Sequence, residues 1–360
     1  MKVLITGIKG FLGRSLSSSL LEEGVEVFGF DKGDGLSLLE TYIKEASYIY
    51  HLAGVNRPER KEEFREGNVI FTKTLVDLTK KNNPNAVIVY ASSIQAELDN
   101  DYGRSKLEAE RILGESGLSI RIYRLSNVFG PGCRPNYNSV VATFCDNLSL
   151  GKPCFIRDRD YVVPFQYVED VCGYFKSELG EKKEIKSFRY VYPIYECSLG
   201  HLYELLTRFK SEIEGENHLP LIGNGFELKL FKTLCFYLRD ATLPYNKAKD
   251  ERGYFEEIYK DKRYGQISIN MAYPHIEKGG HYHTRKKEIF LTCIGNCLIK
   301  QTHIETGDTI MDEVSGDKPK RVNIIPYYSH TIENLGDIPS YTLMWISEIY
   351  DKDNPDTIRK

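Results

Sequence analysis

A chain of 360 residues is long enough for two domains, each with its own core. Its 48 Lys and Arg against 51 Asp and Glu leave a formal net charge of -3, so there is no basic field to hold a nucleic-acid backbone, and nucleic-acid binding is not expected. No apolar run approaches the roughly 18 residues of a bilayer span, and the amino terminus passes at once into a strand-turn-helix pattern instead of a signal peptide. No membrane insertion is expected, and the cytoplasm is the expected compartment. The 8 cysteines show no close four-ligand spacing and suit a reducing compartment; Cys293 and Cys297 lie in alternating sequence and are expected as buried thiols.

The first element is a strand over Val3, Leu4 and Ile5, followed by Gly7, Gly10 and Gly13 and by helical apolar spacing from Phe11 to Leu21. Glycines in such a turn let backbone amides approach a pyrophosphate, whose charge then meets the helix amino terminus. Gly7, Lys9, Gly10, Phe11, Leu12 and Gly13 are therefore the expected cofactor loop. A second strand, Val25 to Phe30, ends in Asp31 and Lys32. Asp31 can accept hydrogen bonds from a ribose diol, as NAD requires, while Lys32 and Lys9 can neutralise the 2′-phosphate of NADP; the spacing leaves both open. Tyr48 to Leu52 is the next strand, and Leu52, Ala53 and Gly54 pass near the nicotinamide ribose. Glu62 to Lys81, around Asn68, is predicted as helix. The alternation is that of a doubly wound α/β fold.

The most chemically specific stretch is VIVYASSIQAELDNDYGRSKLEAERIL, residues 87 to 113. Val87 to Tyr90 predict a buried parallel strand with Ser92 and Ser93 at its carboxyl end, where open α/β sheets place ligands. Tyr102 and Lys106 follow at one helical turn's spacing in a helix predicted to reach Leu113, so phenol and ammonium share a face. An adjacent ammonium favours phenolate and lowers a Tyr pKa. Tyr102 is then a candidate general acid for carbonyl reduction, with Ser93 polarising the carbonyl oxygen.

Beyond a strand from Ile120 to Leu125, residues 126 to 140 form a long loop of Asn, Pro and Gly. Its Arg134, Asn136, Tyr137 and Asn138 can meet a phosphate or sugar hydroxyls. Residues 141 to 235 alternate strands with helices, including Gly200 to Lys210 and Leu228 to Arg239, and complete the first domain, residues 1–241, as a substrate-facing cap. Composition changes after about Ala241, where residues 242 to 260 suggest a linker entering a sheet domain. From Tyr264 to Ile349 short strands are divided by glycines, as in a small barrel or jelly roll, although another sandwich has the same alternation. This second domain spans residues 242–360.

Within it, GGHYHTRKKEIF places His281 and His283 on one strand face with Glu288 shortly after, and His330 lies in a later strand. Three imidazoles and a carboxylate match the ligand inventory of zinc or another divalent transition ion. His275 and His303 have no such constellation and are expected to be solvated or hydrogen-bonded.

Through TGIKGFLG, HLAG, ASSIQ and DYGRSK the first part resembles the extended short-chain dehydrogenase/reductases, which implies a nicotinamide coenzyme at Gly7, Gly10 and Gly13 and catalysis by Ser93, Tyr102 and Lys106. The last third resembles the cupins: His281, His283, Glu288 and Gly295 match the first motif, His330 and Asn334 the second, with Tyr327 where many cupins have glycine. HLAGVNRP, YGRSKLEAE, RPNYNSVVATFC, DERGYFEEI and MWISEIYDKDNPDT extend the likeness over nearly the whole chain, to the bifunctional capsular polysaccharide synthesis enzymes. That resemblance implies a UDP-activated deoxy amino-sugar substrate, zinc-dependent C3 epimerisation in the cupin and NADPH-dependent C4 reduction in the first domain, on the route to UDP-N-acetyl-L-fucosamine. It also implies a homo-oligomer, with a homodimer preferred. The alternative is a reductase whose cupin is a structural or oligomerisation module. Tyr282 and Thr284 depart from the HWHH of that family, and Asp31-Lys32 departs from the basic pair expected for NADPH.

Overall fold

The computed structural model of the protein describes residues 1–180, 186–216, 220–238 and 247–359. They group into two compact units, residues 1–207 with 224–239 and residues 208–223 with 240–360. The segment 208–223, read from the sequence as part of the first domain, thus groups with the second unit.

In the first unit, β1 (Lys2–Thr6), α1 (Phe11–Glu22), β2 (Glu26–Phe30), α2 (Leu36–Glu45) and β3 (Tyr48–His51) alternate as the apolar periodicity predicts. The single helix predicted over Glu62 to Lys81 is instead α3 (Glu62–Phe64), a π-helical segment Arg65–Ile70 and α4 (Phe71–Asn82) in direct succession. There follow β4 (Val87–Ser93), α5 (Asp101–Gly114), β5 (Ser119–Leu125), β6 (Asn127–Phe129), α6 (Val140–Ser149), β7 (Val162–Tyr167), α7 (Val168–Ser177), β8 (Lys186–Arg189), β9 (Tyr195–Ser198), α8 (Leu199–Glu216), whose residues from Arg208 on group with the second unit, and α9 (Gly225–Tyr237). The main sheet is parallel, in the order β2-β1-β3-β4-β5-β8.

Strand alternation explains why helices cover both faces. Leu4, Ile88 and Ile120 join Leu39, Ile43, Leu75 and Leu113 in one core, while Val3, Ile5 and Val89 join Leu16, Leu20, Val171 and Phe175 in the other. Each fully buried Leu, Ile or Phe contributes roughly 1.5–3 kcal/mol. No described helix is long and apolar enough to cross a membrane.

The second unit contains β10 (Lys247–Asp250), β11 (Gly253–Asp261), β12 (Gly265–Ala272), β13 (Glu277–Tyr282), β14 (Glu288–Ile294), β15 (Asn296–His303), β16 (Thr309–Ser315), β17 (Arg321–Ile324), β18 (Tyr328–Asn334), β19 (Ser340–Ile346) and β20 (Ile358–Arg359). They form two antiparallel sheets, β10-β11-β12-β19-β14-β17 and β16-β15-β18-β13-β20, the architecture expected of a jelly roll. Phe290, Ile299, Val322, Ile332 and Met344 form its core. The passage predicted as a linker is therefore sheet from Lys247 onward, and residues 242–246 lie outside the described residues, as does Arg239 at the end of the predicted last helix. Cys297 is buried as expected, but Cys293 is exposed, because the β14–β19 register shifts between Thr292 and Ile294.

Candidate active site and metal centre

The glycine loop is shaped by close backbone approaches. Gly7 has φ 74, and a Cβ there would lie 2.8 Å from the Ala53 backbone; one on Gly13 would lie 2.2 Å from the Gly7 carbonyl oxygen. The amino terminus of α1 carries no side-chain cap, so its first-turn amides remain available to an anion. Asp31 holds this loop: its carboxylate accepts from the Lys9 amide at 2.7 Å and the Lys32 amide at 2.8 Å, while both lysine residues are exposed. Leu52 and Ala53 follow β3, with the Leu52 amide on the Thr6 carbonyl at 3.2 Å and the Ala53 amide on Thr6 Oγ1 at 3.3 Å.

Ser93, Tyr102 and Lys106 come together at the end of β4 and the start of α5. Gly103 makes this possible, since a Cβ there would sit 2.1 Å from the Gln95 carbonyl oxygen. Asn100 caps α5 by accepting the Gly103 amide at 2.7 Å. The Tyr102 phenol faces the Ser93 hydroxyl closely enough for that hydroxyl to act on its pKa, and Ser93 Oγ accepts the Gln95 amide at 3.2 Å. From the sequence, the Lys106 ammonium is expected to lower the Tyr102 pKa. In the structure burial dominates and raises it, while the Ser93 hydroxyl draws it partly back. Lys106 Nζ donates to the Ala91 carbonyl at 2.7 Å and lies 4.4 Å from the Tyr90 ring centroid. Burial pulls this amine down to about 7, against the opposing charge of Glu110.

The loop predicted over residues 126 to 140 contains the short strand β6, and the part that follows β6 is tied to the glycine-loop side. Arg14 donates to the Lys9 carbonyl and, at 3.1 Å, to the Gly132 carbonyl; Arg57 donates to the carbonyls of Asn136 and Tyr137. Arg134 lies over the Tyr137 ring at 5.3 Å, and Arg134, Asn136 and Asn138 are exposed. Asn136 adopts φ 56, a conformation Asn tolerates better than most residues.

In the second unit, β13 and β18 pair His281 opposite His330, and His283 follows at the end of β13. The candidate ligand atoms of the three imidazoles all lie within 4.8 Å of one another. Glu288, the first residue of β14, places Oε1 3.3 Å from His283 Nε2 and Oε2 3.4 Å from His330 Nε2. These residues line a cavity of about 560 Å³ that also reaches Lys278, Tyr350 and Thr357. His283 Nδ1 faces the Asp356 carbonyl, which can only accept, so Nδ1 carries the proton. Nε2 is buried without a hydrogen-bond partner, as is His330 Nδ1. Burial and the neighbouring imidazoles pull His281 down to about 4, while burial of Glu288 is outweighed by His283 and His330, which hold it at about 2. Three clustered imidazoles, an ionised carboxylate and ring nitrogens without a hydrogen-bond partner fit a divalent transition ion. His275 pairs with Asp337 at 3.1 Å, and His303 Nδ1 accepts the Thr306 amide at 3.1 Å, so neither joins the cluster.

Two matches with known protein families divide the chain where its chemistry divides. Residues 3–187 match the NAD dependent epimerase/dehydratase family, and residues 248–358 match the polysaccharide biosynthesis C-terminal domain. The chain belongs to the NAD dependent epimerase/dehydratase family. It is 38% identical over 364 residues to a UDP-2-acetamido-2,6-beta-L-arabino-hexul-4-ose reductase from Pseudomonas aeruginosa, covering 99% of this chain and 98% of that one. The capsular polysaccharide assembling protein CapF of Staphylococcus aureus superposes with a TM-score of 0.88 at 36% identity, over 100% of this chain and 99% of that one. The UDP-glucose 4-epimerase of Thermus thermophilus, solved with NAD, shares the fold of 66% of this chain and 99% of that one, with a TM-score of 0.54 at 18% identity. As a member of the epimerase/dehydratase family, the protein is an enzyme that works with a nicotinamide coenzyme.

Two residues of this family member escape a reading of the sequence. Asn68 is buried in the π-helical segment and reaches both Val55 and Ser105; a polar residue within a run of helical apolar positions is the signal that could have found it. Asp356 is the other, in a tail of Asp, Asn and Pro that reads as loop.

Proposed function

We propose that the protein is a bifunctional sugar-nucleotide enzyme that epimerises C3 of a UDP-2-acetamido-2,6-dideoxy-4-hexulose and then reduces C4 with NADPH. The product is a UDP-2-acetamido-2,6-dideoxy-L-talose, toward UDP-N-acetyl-L-fucosamine. Reduction is assigned to residues 1–241 and epimerisation to residues 242–360, and the sequence resemblance favours a homodimer. The observation that carries this reading is the presence, in one chain, of the Ser93 hydroxyl facing the Tyr102 phenol beside a buried lysine and of a cavity lined by three imidazoles and a carboxylate.

In the first unit the glycine loop and the α1 amino terminus hold the coenzyme pyrophosphate, and Lys9 and Lys32 favour the extra phosphate of NADPH. The bound nicotinamide supplies the hydride. Ser93 hydrogen-bonds the C4 oxygen and Tyr102 delivers a proton to it from its phenol. Lys106 holds ribose hydroxyls and steadies the phenolate. Arg134, Asn136, Tyr137 and Asn138 meet the sugar or phosphate.

In the second unit a C4 ketone acidifies the C3 hydrogen, because its removal gives a stabilised enolate. A His or Tyr side chain in the cavity takes that proton, and reprotonation on the opposite face completes the epimerisation. Zinc, held by His281, His283, His330 and Glu288, supplies positive charge beside the reacting sugar. A product assay in deuterated solvent tests the whole reading by following deuterium entry at C3 separately from nicotinamide oxidation. Both signals are expected; hydride transfer without C3 exchange would instead establish a reductase with a structural cupin.

A further inference from the structure

The metal-ligand candidate His283 is held by a segment far along the chain. Besides accepting from His283 Nδ1 on its carbonyl, Asp356 accepts on its carboxylate from the amides of Thr284, Arg285 and Lys286 at 3.0, 3.0 and 2.9 Å and from the Thr284 hydroxyl at 2.7 Å. Arg285 in turn donates to the Asn354 side chain at 3.2 Å and to its carbonyl at 2.9 Å. Two residues on, β20 pairs Ile358 with Tyr282 and Arg359 with His281. Residues 354–359 thus form a strap over the turn between β13 and β14, fastened at both sides of His283.

The backbone conformations around this ligand are uncommon. Asp356 has φ 40, and Tyr327, whose amide donates to the His283 carbonyl at 2.8 Å, has φ 67. Left-handed non-glycine residues persist where their surroundings over-determine them, and they concentrate at functional sites. An aspartate capping a turn is ordinary by itself. Here the same residue caps the turn and fixes the proton of a ligand ring, which an ordinary turn cap has no need to do.

We infer that Asp356 is a positioning residue for the metal centre: its carbonyl sets the His283 tautomer that leaves Nε2 as the ligand atom, and its carboxylate clamps the Thr284–Lys286 amides so that the ring keeps that aim. The ion is of the divalent transition class, so the inference rests on the metal site proposed above. A carbonyl oxygen has no proton to give, so the ring nitrogen facing it must carry one. Without that partner, either ring nitrogen can hold the proton and the ring must be ordered anew at each binding event. Hydrogen-bonded partners of ligating histidines typically account for about 10–100-fold in metal affinity.

The test uses the full-length protein with zinc as the probe. Affinity is measured by competition with a chromophoric chelator, and the His283 tautomer is read from ring nitrogen shifts in the metal-free protein by NMR. Asp356→Asn and Asp356→Gly both tolerate a left-handed backbone, so the local conformation stays accessible while the carboxylate clamp that holds the residue 356 carbonyl on His283 is lost. Each is expected to weaken zinc binding by about 10–100-fold and to convert the single Nδ1–H form of His283 into a mixture. Should either variant fail to fold, Thr284→Val removes one carboxylate contact alone and is expected to weaken binding by a smaller factor. Wild-type affinity with an unchanged tautomer in every folded variant overturns the inference and leaves the metal site standing. Absence of zinc binding in the wild type, or wild-type binding by His281→Ala, overturns the metal site and the inference with it.

Discussion

The Asn68 carboxamide clamps Val55 at two points: Oδ1 accepts the Val55 amide at 2.7 Å and Nδ2 donates to the Val55 carbonyl at 2.8 Å. Nδ2 also donates to Ser105 Oγ at 2.9 Å, on the helix that carries Tyr102 and Lys106. One side chain therefore ties the loop after β3, which includes Gly54, to the helix of Tyr102 and Lys106. Asn68→Asp keeps an acceptor for the Val55 amide but removes both donor bonds. Losing such buried bonds costs about 1–3 kcal/mol, and coenzyme binding is expected to weaken roughly tenfold, as measured by fluorescence titration. An unchanged Kd in a folded variant would show that this tie does not support coenzyme binding.

Tyr102→Phe removes the proposed proton donor while keeping the ring. Positioned general acids contribute about 10²–10⁴-fold, so ketone reduction at saturating NADPH is expected to fall by that order. Deuterium entry at C3 is expected to continue at the wild-type rate. Near-normal reduction by this variant would sink the assignment. The same protein allows a direct titration of NADPH against NADH, in which tighter NADPH binding is expected from Lys9 and Lys32; a clear NADH preference would overturn that choice.

A pH dependence follows from His51, which is fully buried at the end of β3. Thr72 Oγ1 donates to the Asn68 carbonyl at 2.6 Å and so accepts from His51 Nε2 at 2.8 Å, leaving Nδ1 to accept from Thr6 Oγ1 at 2.8 Å. Burial, with the Lys106 charge, holds the imidazole neutral down to about 3. An unfolded histidine takes up its proton near pH 6.5, whereas the folded one does not until about 3. The unfolded state therefore binds more protons between these values, and the stability present above pH 6.5 is lost as pH falls through this window. His51→Gln is expected to flatten the fall. Urea midpoints at pH 7.5 and pH 5 check this, and equal slopes for the two proteins would count against it.

What could be read from the sequence is what short-range pattern encodes. The glycine loop, the strand ending in Ser92 and Ser93, and the Tyr102/Lys106 spacing each lie within one strand-turn-helix passage, and the structure brings them together. The His281, His283, Glu288 and His330 set was legible because strand alternation and chemical type point the same way. Long-range partners were not. Asn68 serves a loop thirteen positions earlier in the chain, and a π-helical turn leaves the apolar spacing of its helix nearly unchanged. Asp356 lies 73 positions from His283 in a segment whose composition marks only a loop. The sign of the Tyr102 shift was misread because burial, which spacing does not reveal, outweighs the expected effect of the nearby amine.

The remaining prediction asks whether the second unit performs chemistry. His281 lies opposite His330 in the β13–β18 pair, with ring centroids 4.6 Å apart, so His281→Ala removes one imidazole from a cluster whose other members stay in place. Zinc occupancy is expected to fall, and C3 exchange in the 4-hexulose substrate with it, while nicotinamide binding by the first unit is retained. Stability is the main confounder, because an ion held between strands contributes to folding as well as to catalysis. Hydrogen exchange across β14 and β19 must therefore show a folded sheet before any rate is compared. Deuterium entry at C3 is then followed without nicotinamide, which separates epimerisation from the later reduction. Undiminished exchange in a folded, metal-depleted variant would rule out a required catalytic metal, and loss of exchange only together with unfolding would assign the ion a structural role.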